Sequence, residues 1–282
     1  MNTLDLRPSP IAGTWYEGRP KILAEEIDRY LDQAELPELN GEVIAVIAPH
    51  AGHRYSGSVA GYAFAAVRDR TPSLVAVISP MHQPYYEPLL TSRHDAYATP
   101  LGNIPIDKEA LAELNAILKP ELNFGVTPVP NDPEHSLEIE LPFLQRALKS
   151  EFQLLPVMVR SHQPGVAKVL GKALAEVLKS KDYLLVASTD LSHFYDQETA
   201  NSLDAEMLRC IESFQPESLF EAERTGKGYA CGHAATAAVL WAARELGGDT
   251  VKILHHATSG DVTGDYRQVV GYGAAAVLKR KT

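Results

Sequence analysis

Short apolar runs constrain this chain more than any other feature. Residues 43–48, 74–79, 152–159 and 183–188 are each rich in Val, Ile or Leu and bounded by Pro, Ser, Asp or His. Runs of that length and composition suit strands covered on both faces, the usual state in a parallel sheet. Residues 251–255 and 269–277 extend the set. Segments with helical period lie at 20–32, 58–68, 108–118, 137–149, 166–178, 200–212 and 233–245. In the first of them Ile22, Leu23, Ile27 and Leu31 share a face. The alternation predicts an α/β fold: three α/β/α layers around a mostly parallel central sheet. The chain has 282 residues with no repeat or low-complexity segment, so a single domain over 1–282 is expected. Residues 83–105, rich in Tyr, Pro and polar groups, read as a long excursion, a hairpin near the site.

Charge and cysteine usage narrow the function classes. With 26 basic against 36 acidic residues the net charge is −10. Nucleic acid and anionic membrane surfaces both call for a basic face, so neither is an expected partner. The N-terminal residues lack a basic segment followed by an apolar run, and no window approaches the ~18–20 apolar residues of a membrane span. A cytoplasmic location is expected. Cys210 and Cys231 are the two cysteines, too few for a disulfide framework.

In open α/β sheets ligands bind beyond the carboxyl ends of the strands. The run 43–48 is followed by His50, the run 74–79 by His82, and the run 183–188 by Asp190 and His193. Each imidazole taken alone reads equally well as a group bonded to a loop carbonyl. Three in one topology point to a shared edge. Cys231 immediately precedes the segment 233–245, where a helix N-terminus favours the thiolate. An inert buried thiol is the plainer reading. In Glu134-His135-Ser136-Leu137-Glu138, Ser136 suits an N-cap, and Glu138 with Glu140 suits the first turn of a helix. The functional reading of the same string places His135 beside the metal, as an outer hydrogen-bond donor or a substrate contact. Asp190 either orients an imidazole or caps a following helix. His53 reads as solvent-facing. His255 and His256 should face opposite sides of a strand. Cys210 goes to the core, and His94 and His162 are given no role. Trp15, Tyr16, Tyr55, Tyr85 and Tyr86 suit an aromatic pocket. No GxxxxGK[ST] or GxGxxG string occurs, so nucleotide binding is not expected.

Five strings in order resemble the MEMO family. They are Ala48-Pro49-His50-Ala51-Gly52 with Tyr55-Ser56-Gly57, Ser79-Pro80-Met81-His82, Glu134-His135-Ser136-Leu137-Glu138, Ser188-Thr189-Asp190-Leu191-Ser192-His193, and Cys231-Gly232-His233. The resemblance starts at Gly13-Thr14-Trp15-Tyr16 and runs to the last strand. Prokaryotic members are called AmmeMemoRadiSam system protein B. The resemblance implies a fold like the class III extradiol dioxygenases, which hold non-haem iron with two His and a carboxylate. By position His50 and His82 match the two His ligands. Cys231 matches the third, a thiolate replacing the carboxylate. His193 matches the acid/base or substrate-contact histidine. Some members carry His-His where this chain has Met81-His82.

A thiolate softens such a site toward zinc, copper(I) or iron of altered potential. The leading expectation is therefore an iron-dependent, dioxygenase-related redox protein. A second is a binding or scaffold protein whose cleft takes a small aromatic molecule or a peptide. The family name implies AMMECR-type and radical-SAM partners, and this chain has no CxxxCxxC of its own. A third is a zinc hydrolase using Asp190, Glu138 or His193 as base.

Overall fold

A computed structural model describes residues 4–130 and 132–280. From the N-terminus come β1 (Leu6–Arg7), α1 (Pro20–Gln33), β2 (Glu42–Ala48), α2 (His53–Ala65) and β3 (Leu74–Pro80). Then follow β4 (Leu89–Ser92), β5 (Ala96–Thr99), β6 (Gly102–Pro105), α3 (Lys108–Leu122) and β7 (Thr127–Val129). A 3-10 turn (Glu138–Glu140) leads into α4 (Leu141–Ala147), β8 (Gln153–Val159), α5 (Pro164–Leu178), β9 (Tyr183–Ser188) and β10 (His193–Tyr195). The chain closes with α6 (Gln197–Glu212), α7 (Pro216–Arg224), α8 (His233–Glu245), β11 (Thr250–Thr258), α9 (Ser259–Thr263) and β12 (Val269–Lys279).

The large sheet has the order β10-β12-β2-β9-β3-β8-β4-β7, with β11 also paired to β12. Its centre, β2-β9-β3-β8, is wholly parallel. These strands are the four apolar runs, and their side chains are almost all buried. The flanks depart from the expected parallel order. β12 is antiparallel to β2, β10 and β11, and β4 is antiparallel to β8. The link from β11 to β12 is too short for a crossover, and parallel strands need one of a dozen residues or more. The excursion 83–105 does contain a hairpin, β5–β6, which forms a small second sheet with β1.

α2 packs on β2 and β12 with α1 and α4 beside it, while α8 packs on β3 and β9 with α5 beside it and α3 against α5. The three layers follow from that. α8 is rich in alanine and buried from His233 to Ala243, so it sits close to its neighbours. A Cβ on Gly171 of α5 would lie 2.6 Å from the Ala238 carbonyl oxygen. α1 begins on Pro20, whose fixed φ suits a first turn, and buries Leu23, Ile27 and Leu31. Ile22 points outward instead. α2 starts at His53, earlier than the period suggested, and α7 lies in a stretch with no clear helical pattern. No helix among the described residues is long and apolar enough to cross a membrane.

Candidate metal centre

β2, β9 and β3 are adjacent in the sheet, so the residues after their carboxyl ends converge. His50 follows β2 and His82 follows β3, and their ring centroids lie 5.2 Å apart, edge to face. His135 enters from the segment before the 3-10 turn. Its ring stacks on His82 at 4.7 Å and meets His50 edge-on at 5.6 Å. One ligand atom from each of His50, His82 and His135 lies within 4.8 Å of the others, so the trio can hold a metal ion.

Hydrogen bonds decide which nitrogens are available. The Ser188 hydroxyl donates to the Ser136 carbonyl at 2.7 Å. Its oxygen is then the acceptor for His50 Nδ1–H at 2.9 Å, which leaves the His50 Nε2 lone pair free. Glu134 Oε1 lies 2.8 Å from His82 Nδ1 and 3.2 Å from His135 Nδ1. The carboxylate thus fixes His82 as the Nδ1–H tautomer with Nε2 free, the arrangement usual behind metal ligands, and accepts the His135 backbone N–H at 3.0 Å. Burial opposes ionisation of Glu134, but the His82 hydrogen bond, the His82 and His135 charges and the Ser136 N–H outweigh it. They hold the carboxyl well below the usual range. Burial lowers both His50 and His135, the latter to about 4, so these rings are neutral at pH 7.

Cys231 arrives from the loop before α8. Its N–H bonds the Asp190 carbonyl at 3.2 Å, and the Gly232 N–H bonds Thr189 Oγ1 at 2.9 Å. These contacts pin the loop to the end of β9 and set Cys231 Sγ 3.1 Å from His50 Nε2. The expectation that a helix N-terminus favours the thiolate is overturned for the free thiol. Burial, with the Asp190 charge next, pushes its pKa far up. The helix-end field is strongest within the first turn, and here desolvation is the larger effect.

Asp190 neither caps a helix nor touches His193. The strand β10 follows it, and its carboxylate accepts the His50 N–H at 2.8 Å. Burial raises the Asp190 carboxyl to about 7 against the hydrogen bonds from His50 and Ala51. His193 stands outside the trio, its Nδ1–H donating to the Leu191 carbonyl at 2.8 Å and its ring edge-on to Tyr229 at 5.7 Å. Ser136 is not an N-cap: its hydroxyl donates to the Pro80 carbonyl at 2.8 Å. Glu138 and Glu140 do stand in a first turn, that of the 3-10 helix, but both are buried. Glu138 packs against Arg7 and accepts from the Tyr16 hydroxyl at 2.7 Å. Arg7 also reaches Asp132 at 2.7 Å and the Glu134 carbonyl at 2.6 Å, tying β1 to the segment that carries His135. His53 is buried, packed between Tyr16 and Phe143. His256 bonds Asp204 at 2.9 Å, His255 stacks on Tyr62 at 4.2 Å, and Cys210 is buried in the core. Sequence reasoning gave Ser188 and Glu134 no role of their own. Only the adjacency of Glu134 to His135 hinted at one.

Trp15 links the imidazoles to a cavity. Its ring packs on His135 at 4.3 Å, and it also lines a hollow of about 480 Å³ with Tyr55, Phe194, Tyr272 and Arg54. Tyr85 and Tyr86 are not part of that wall, and Tyr86 is fully exposed. Phe194 has φ of 63°, a left-handed conformation rare for a bulky side chain, and is 68% exposed. A larger hollow of about 730 Å³ between Gly102 and Phe152 contains none of these donors.

Comparison with known proteins places the geometry in context. A family model described as "Memo-like protein" matches residues 7–276. A "MEMO1 family protein" of Thermotoga neapolitana is 36% identical over 281 residues, covering 96% of this chain and 99% of that relative. One from Nitrosopumilus maritimus is 32% identical over 95% of this chain and 98% of its own length. Another, from Methanosarcina mazei, is 32% identical over 97% and 100%.

Proposed function

This chain belongs to the Memo-like protein family, and we propose that it is a metal-binding protein with a non-haem-iron, dioxygenase-related redox activity. In this reading His50, His82 and Cys231 are the ligands. His135, stacked on His82, serves as a contact for a bound molecule. The carrying observation is that Ser188 and Glu134 accept the Nδ1–H groups of His50 and His82, with Cys231 Sγ 3.1 Å from His50 Nε2.

The His50–Cys231 pair has the spacing of two donors on one ion, while the three ligand atoms that all lie within 4.8 Å of one another are those of His50, His82 and His135. Bonds of about 2.1 Å to nitrogen and 2.3 Å to sulfur put adjacent donors about 3.1–3.6 Å apart, and Cys231 Sγ is 3.1 Å from His50 Nε2. Three protein ligands leave positions open, and bound iron supplies one-electron redox capacity there. The chain's own residues prepare and frame the site. The His50 ring, kept neutral by burial, presents its lone pair without first losing a proton. Cys231 must give up its thiol proton to bind, and Asp190, raised to about 7, is a proton acceptor beside it. His193, whose ring meets Tyr229 edge-on, exchanges protons with a bound molecule. Trp15, Tyr55, Phe194 and Tyr272 suit an aromatic ring.

Metal analysis of protein purified without oxygen tests this reading. About one equivalent of iron, lost in His82→Ala and in Cys231→Ser, is expected. Equal metal content in both variants and the intact chain would overturn it.

The exposed Phe194, with Tyr195 and Tyr229 also open to solvent, favours a second reading. In it the cleft binds a peptide, or docks AMMECR-type and radical-SAM partners, without turnover. Tight partner binding by metal-free protein is its expected signature.

A further inference from the structure

We propose that His162, Glu223 and His233 form a second divalent-cation site of zinc type, which braces the loop carrying Cys231. The three residues come from separate parts of the fold. His162 lies between β8 and α5, Glu223 lies in α7, and His233 is the first residue of α8. One ligand atom from each lies within 4.8 Å of the other two. The two imidazoles stack at 5.2 Å, and Phe220 meets the His233 ring edge-on at 5.1 Å. His233 Nδ1 and Glu223 Oε2 are already 2.9 Å apart. Two donors with bonds of about 2.0–2.1 Å to a tetrahedral ion lie about 3.3–3.4 Å apart, so the pair would open by about half an ångström to admit one.

Burial gives the cluster a floor and a door. His233 is 1% exposed, whereas His162 is exposed, so an ion would enter past the His162 ring. Without an ion, His233 Nδ1–H donates to the Ala230 carbonyl at 3.1 Å, with the Glu223 carboxylate 2.9 Å from the same nitrogen. Binding through Nδ1 releases that proton to solvent and gives the vacated lone pair to the ion. Two imidazoles and one carboxylate, with no sulfur, are a known zinc set with one position open to water. Arg160 is the nearby opposing charge.

The site's position gives it a consequence. His233 is two residues from Cys231, and Gly232 between them is locked against β9. A Cβ there would lie 2.4 Å from the Ser188 carbonyl oxygen. An ion joining α7, α8 and the β8–α5 loop therefore holds the Cys231 segment from its far side.

The test counts zinc on the metal-stripped full chain after saturation and desalting. His162→Ala and Glu223→Gln should each hold one equivalent less than the intact chain, while His255→Ala holds the full count. Cobalt(II) at this site should add absorption without a thiolate charge-transfer band, and that band should disappear only in Cys231→Ser. The inference is overturned if either His162→Ala or Glu223→Gln keeps the intact count, or if His255→Ala loses as much. Failure of the Cys231 centre would change the total and the thiolate band, not the difference made by His162.

Discussion

Glu134 holds His82 by two atoms at once: one carboxylate oxygen accepts the His82 backbone N–H at 2.6 Å and the other the ring Nδ1–H at 2.8 Å. The ring is therefore fixed in both position and tautomer. Glu134→Gln replaces one acceptor oxygen with a donor and removes the charge. Metal affinity should fall by about 10–100-fold, as it does when outer partners of ligating histidines are lost. Competition against a chelator of known affinity measures this, and an unchanged affinity would detach Glu134 from the centre.

Metal uptake should depend on pH through the thiol. Burial holds Cys231 protonated in the free protein, while His50 and His135 are neutral because burial lowers them. Loading the ion must then expel the Cys231 proton, so affinity rises as pH rises. Between about pH 7.5 and 9 the slope should be one proton per ion, and it should vanish in Cys231→Ser. Equal slopes in the two proteins would place the sulfur outside the coordination set.

His53 should make the fold acid-sensitive. Burial lowers its pKa to about 4, and its Nδ1 has no hydrogen-bond partner. The unfolded chain takes up the proton near the ordinary value of about 6.5, so in this window the unfolded state binds more protons. The stabilisation is complete above the unfolded value and is lost as pH falls through the folded one, about 3 kcal/mol in all. Asp190, raised to about 7, acts with the opposite sign in the same window, so a single variant is needed to isolate the term. Urea unfolding of His53→Phe at pH 7 and at about pH 4.5 should show a smaller loss than the intact chain. An identical loss would remove His53 from the account.

Gly232→Ala should damage both stability and metal content. The added methyl would meet the Ser188 carbonyl oxygen at 2.4 Å and the Thr189 Cβ at 2.8 Å. The backbone at Gly232, φ −101°, is open to alanine, so the effect is steric. A loss of about 1–3 kcal/mol is the usual cost of such overpacking. Thermal unfolding, with metal analysis on the same sample, reads both effects.

Much of the fold was legible because it rests on apolar content. The four central strands are continuous runs of Val, Ile and Leu, and their ends located His50, His82 and Asp190 on one edge. The antiparallel flank was less legible, since the pairing of β12 depends on a short connection and not on composition. Within the site, His135 was seen, but its place in the trio was not. That depends on Glu134 reaching two rings at once, a contact between residues 52 positions apart in the case of His82. His53 was misplaced because a Gly-rich turn was expected where a helix starts, and the helix carries it inward. His162 carries no local signal, because its neighbours Glu223 and His233 lie far along the chain.

X-ray absorption of the iron-loaded protein, intact and as Cys231→Ser, tests the central claim most directly. The account predicts one sulfur and two or more imidazole nitrogens around the metal, with the sulfur contribution absent from the variant. A spectrum of nitrogen and oxygen neighbours alone, unchanged by the substitution, would contradict it and assign the ion to His50, His82 and His135.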